Sequence, residues 1–169
     1  AAPSDAGTSV FESTVAPRPT GQIDELVFSN LTRLGLQPVL CSDAVFVRRA
    51  YLDVIGTLPT AKEARDFIQD SDAPNKRRRL IDRLLERDEF IDYWAMKWGD
   101  ILRIKAEFPV NLWPNAAQAS HRWVRASIAA NKPYDQFARE LLTASGSNFR
   151  VGPVNFFRAI QNRKSEGIA

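Results

Sequence analysis

The stretch DEFIDYWAMKWGDILRIK, Asp88 to Lys105, decides the fold. On a 3.6-residue period Phe90, Ile91, Trp94, Ala95, Trp98, Ile101 and Leu102 share one broad face, with Tyr93 and Ile104 at its margin. Asp92, Met96, Gly99, Asp100 and Arg103 take the narrower opposite arc. A wide apolar stripe with two tryptophans one turn apart predicts a helix touched by neighbours on several sides. The expected architecture is therefore all-α: a single orthogonal bundle of about six or seven helices around this Trp-rich helix.

Working outward, the flanking segments carry the same period. Gln22 to Leu34 predicts a helix with Ile23, Leu26, Val27, Leu31 and Leu34 inward, stopped by Gly35. Ser42 suits the cap of a second helix that buries Phe46, Val47, Ala50, Tyr51 and Val54. Thr60-Ala61-Lys62-Glu63 has the spacing of a capping box. A helix from about Asn75 to Glu86 precedes the central one. Pro114 suits the first turn of a helix reaching Ala130, whose small residues Ala116, Ala117, Ser120 and Ser127 would admit a close neighbour. Asn131-Lys132-Pro133 breaks it. Tyr134 to Thr143 follows, with Phe137, Ala138, Leu141 and Leu142 apolar, and Phe156 to Gln161 restarts a helix. No strand period and no internal repeat is present.

Residues 1–20, rich in Ala, Pro, Ser and Thr, read as a flexible linker or trimmed leader ahead of a helical domain over 21–169. Ser165 to Ala169 reads as a cap and the opening of a helix that is cut, as in a fragment of a longer protein.

Bulk properties narrow the function classes. The 169 residues suffice for a substantial core, and 44% are hydrophobic. The 23 basic and 20 acidic residues are interspersed, giving a net charge of +3 and the pattern of a solvated mixed surface. The dense run Lys76-Arg77-Arg78-Arg79 opens a helix whose other side is Leu80, Ile81, Leu84 and Leu85, so nucleic acid is not expected as a partner. Cys41 is the single cysteine, which rules out an intrachain disulfide or a multi-cysteine metal site. No apolar run reaches the roughly 18 to 20 residues of a membrane span. There is no CxxCH, so covalent haem attachment in this chain is not expected.

Particular residues nevertheless invite chemistry. Asp100 with Arg103, and Arg49 with Asp53, lie one turn apart and are expected as structural ion pairs. His121, the only histidine, lacks a neighbouring ligand at helical spacing, so no metal site is expected. Trp94, Trp98 and Trp123 fall on core faces, whereas Trp113 sits in a proline-bounded loop between Asn111 and Asn115. That loop, 106–115, and a second, 144–155, hold Asn111, Trp113, Asn115, Ser145, Ser147, Asn148 and Asn155. With His121 beneath them, these form the candidate binding surface, since loops on a rigid scaffold commonly carry binding groups. Neither a GxSxG elbow nor a phosphate-binding glycine loop is present, and no catalytic residue is assigned.

Five blocks in order carry a family resemblance: RRAYLDVIGTLPTAKEARDFI (Arg48 to Ile68), KRRRLIDRLLERDEFIDYWAMKWGDILR (Lys76 to Arg103), NLWPNAAQASHRWVR (Asn111 to Arg125), KPYDQFARELLTASGSNF (Lys132 to Phe149) and NFFRAIQNR (Asn155 to Arg163). Together they resemble the planctomycete-type cytochrome-c-associated domain of unknown function, from about Ile23 to the end. The resemblance implies an extracytoplasmic module of a large exported bacterial protein, with any haem carried by a neighbouring cytochrome c domain of the same polypeptide. It supplies no catalytic residues. The resulting expectation is a non-catalytic scaffold or docking module. The alternative is a unit that binds or processes carbohydrate, with a polysaccharide as partner, through the 106–115 and 144–155 loops.

Overall fold

A computed structural model describes residues 10–72, 74–107 and 112–160. Among these residues the chain is helical, with eight α-helices, one 3-10 turn and no strand beyond an isolated bridge between Glu12 and Cys41. The chain divides into two compact units, one ending at Arg83 and the other beginning at Leu84.

The first unit holds α1 (Gln22–Arg33), α2 (Asp43–Ile55), α3 (Ala61–Gln69) and most of α4 (Lys76–Leu85). Its helix ends follow the local chemistry of the sequence. Ser42 accepts from the Val45 amide, and Gly56 ends α2 in the left-handed region at φ 72°. The Thr60 amide donates to Glu63 at 2.8 Å while the Glu63 amide donates to the Thr60 hydroxyl at 3.2 Å, closing the capping box reciprocally. α2 packs on α3, with the Phe46 and Phe67 rings stacked at 5.8 Å, and Val47, Ala50, Tyr51 and Ile55 are buried. Backbone hydrogen bonds tie the preceding segment down: Ser13 donates to the Leu40 carbonyl and Ser42 to that of Phe11.

α1 departs from expectation. None of its residues is buried, and Ile23 and Leu26 are 78% and 67% exposed. Val27 and Leu34 are exposed as well. Periodicity identifies the side a helix would bury but not whether a partner lies there.

The second unit holds α5 (Asp88–Ile101), α6 (Pro114–Ala129), α7 (Tyr134–Thr143), a 3-10 turn (Gly152–Val154) and α8 (Asn155–Ile160). Its core is Ala95, Leu102, Val124, Phe137 and Leu141, with Trp98, Ile104, Trp123, Ile128 and Phe156 packed against it. α6 packs against α5, the 3-10 turn and α8. Its small residues do admit a close neighbour, and that neighbour is the 3-10 turn. A Cβ on Gly152 would lie 2.5 Å from the Ala119 carbonyl oxygen and 2.6 Å from the Trp123 Cβ.

α5 is shorter than its apolar period suggests. Arg103 adopts φ 57°, its amide donates to Asp100, and the Ile104 amide donates to the Gly99 carbonyl at 2.8 Å. That is a Schellman stop, built on arginine where glycine is usual, and it turns Ile104 back into the core. Ile101 and Trp94, placed inward by periodicity, are exposed, while Ala95 is the buried residue of this helix.

Candidate functional site

The two loops of the candidate surface meet within the second unit. Leu112, at the end of one, and Gly152, Pro153 and Asn155, at the end of the other, line one small cavity with Ser120 and Trp123. Its volume of about 10 Å³ is room for no more than a water molecule.

A buried polar lock holds the second loop against α6. Asn155 is only 1% exposed. Its Nδ2 donates to the carbonyls of Asn148 at 2.8 Å, Gly152 at 3.2 Å and Ala116 at 3.3 Å. The Ser120 hydroxyl donates to the carbonyls of Ala116 at 3.1 Å and Gly152 at 3.0 Å. Asn155 Oδ1 is buried without a donor. Asn155 is thus an interior brace, which follows from the need to satisfy buried backbone carbonyls. Asn148 contributes its backbone to the same lock and is half-buried. Ser147 turns the chain, its carbonyl accepting from the amides of Arg150 and Val151.

The other candidate residues face solvent. Trp113 precedes α6 as its N-cap and is 66% exposed; Asn115, His121, Ser145 and Ser147 are exposed too. Asn111 lies outside the described residues, as do the segments expected as a leader start and a cut helix. Among the described residues no hydrogen bond or ion pair joins the side chains of Trp113, Asn115 or His121 to a carboxylate. No group of three or more His, Cys, Asp or Glu is arranged to hold a metal ion among them.

The expected ion pairs Arg49–Asp53 and Asp100–Arg103 do not form among the described residues. Arg103 lies past the end of α5, in the left-handed region. Arg49 and Asp53 are both exposed, where solvent makes such a pair worth little. Besides the exposed within-helix pairs Lys62–Asp66 and Arg78–Asp82, several charges pair between separate elements. Asp43, in the first turn of α2, receives Lys76 Nζ at 2.5 Å and Arg77 at 2.9 Å. Burial pushes the Asp43 carboxyl up, but hydrogen bonds and charge from Lys76 and Arg77 outweigh it and hold the pKa below the ordinary value. Arg79 pairs with Asp70 and Asp72 at 2.6 and 2.7 Å, so the basic run of α4 is largely matched by carboxylates. In the second unit Arg125 of α6 meets Asp92 of α5 at 2.6 Å.

Sequence reasoning missed Glu140. It accepts from Lys132 Nζ at 2.6 Å and from the Trp123 indole at 2.7 Å, and the two donors hold its carboxyl below the ordinary range. The Lys132 ammonium also lies over the Trp123 ring. No short-range spacing signals this cluster, because its members come from α6, the α6–α7 connection and α7. These networks order packed helices; none pairs a nucleophile with a base.

Residues 22–168 match a family model described as PSCyt2, protein of unknown function (DUF1549). No curated protein and no solved structure matches the chain.

Proposed function

Because the chain belongs to the PSCyt2 family, whose function is unknown and whose name carries an association with cytochrome c, we propose that it is a non-catalytic helical docking module. Its partner is a haem-bearing cytochrome c domain of the same exported polypeptide, working outside the cytoplasm. The observation that carries this reading is α1, a regular helix with no buried residue and a face of Ile23, Leu26, Val27 and Leu34 open to solvent. Contiguous exposed apolar surface of this kind commonly marks an interaction site. The haem belongs to the partner, and this chain contributes shape and apolar area. An orthogonal packing of helices around α5 is part of the same reading. No described helix is long and apolar enough to cross a membrane.

The experiment is hydrogen exchange on the 169-residue chain alone and with the cytochrome c domain of the longer polypeptide. Slower exchange confined to α1 on mixing supports docking, and unchanged α1 amides refute it. A second reading, carbohydrate binding at the two loops, is favoured by the open indole of Trp113 beside Asn115. Glycan-array binding lost in Trp113→Ala tests it.

A further inference from the structure

A cleft of about 170 Å³ opens in the second unit, and neither reading above uses it. Its walls are the rings of Phe90, Trp98, Tyr134 and Phe137, and its rim carries Asn131 and Lys132. Trp98 lies 6.2 Å from Tyr134 and 5.1 Å from Phe137, centroid to centroid, with the planes tilted by 37° and 54°. Rings inclined in this way leave a faceted wall in place of a closed stack. Tyr134 is 70% exposed, so its ring is available to a ligand.

The rim is fixed by the end of α6. Asn131 sits at φ 44°, its amide donates to Ile128, and the Lys132 amide donates to the Ser127 carbonyl at 2.9 Å, a second Schellman stop. Among the described residues the Asn131 side-chain amide has no protein partner. Lys132 keeps its ammonium beside Glu140 at 2.6 Å, so the cleft's cation is already compensated.

We propose that this cleft binds one pyranose ring of a neutral carbohydrate. Three properties select that ligand. The volume lies below the roughly 300 to 1,000 Å³ of pockets that enclose drug-sized molecules, so it suits a single ring. The compensated lysine gives no preference for an anion, and the aromatic walls offer apolar faces to the C–H face of a sugar. The amide of Asn131 and the remaining protons of Lys132 meet hydroxyl groups at the rim, whereas a purely aromatic ligand would cover these groups with carbon and leave them unpaired.

The test is a two-dimensional amide and indole NMR titration of the full chain with methyl β-glucopyranoside, methyl β-galactopyranoside and N-acetylglucosamine in parallel, and with p-cresol as the aromatic probe. The result expected is a saturable shift confined to Phe90, residues 127–137 and the Trp98 indole for at least one sugar. Tyr134→Ala and Asn131→Gly should each weaken it about tenfold or more, a loss of about 1.4 kcal/mol. Both variants should fold, since Tyr134 is exposed and glycine accepts the left-handed conformation of residue 131. Shifts elsewhere, undiminished affinity in both variants, or p-cresol occupying the cleft while every sugar fails would each overturn the proposal.

Discussion

The hydroxyl of Ser120 on α6 donates to the carbonyl of Gly152, 3.0 Å away and 32 residues further along the chain. At the same point the missing side chain of Gly152 lets the 3-10 turn rest on the Ala119 carbonyl. Contact and hydrogen bond reinforce each other: the turn must come this close for Ser120 to reach its carbonyl and for Asn155 to reach that of Ala116. The second unit therefore depends on one glycine for packing, although Gly152 has no positive φ.

Gly152→Ala places a Cβ where backbone stands on the other side, and backbone cannot yield as a flexible side chain would. The substitution should destabilise by about 1 to 3 kcal/mol, the usual range for overpacking. Thermal melting of the variant measures this; an unchanged melting temperature would mean that the turn does not press on α6.

Trp98 is half-buried against Phe137 and Tyr134. Trp98→Ala should cost about 3 kcal/mol, the lower end of the range for large aromatics, because part of the indole remains in water. Denaturant unfolding gives the number, and a midpoint equal to that of wild type would remove α5 from the core of the second unit.

Acid should weaken the fold through Asp43 and Glu140. Both folded-state pKa values lie below their ordinary ones. Such groups stabilise fully above the unfolded-state pKa, about 3.9 for Asp and 4.3 for Glu, and the contribution is lost as pH falls through the folded-state value. The melting temperature should therefore fall on acidification below about pH 4. Asp43→Asn should melt lower than wild type at neutral pH and lose less on acidification. Parallel acid profiles for the two proteins would show that Asp43 is not linked to folding.

Much of the fold is legible in the sequence because its determinants are local. Ser42, the Thr60–Glu63 pair and the glycines at 35 and 56 act within one turn of their own helix ends, so spacing alone locates them. The end of α5 is not legible, since nothing in the residue type Arg103 announces a left-handed stop. Nor does spacing reveal Asp43 meeting Arg77, 34 residues on, or Asn155 reaching Ala116 across 39. Asn155 looked like a binding group because an amide in a loop is usually wet; its burial arises from the carbonyls that the close approach of Gly152 brings together.

The exposed face of α1 is the point on which the docking account stands. Leu26→Asp changes a residue that is 67% exposed, so the melting temperature of the chain alone should stay within about 2 °C of wild type. Calorimetric titration of wild type and Leu26→Asp with a purified cytochrome c domain of the kind proposed as its partner is the most direct measurement. The account predicts saturable binding for wild type and at least a tenfold loss for the variant, about 1.4 kcal/mol. Equal affinity in the two proteins, or no heat of binding in either, would contradict it.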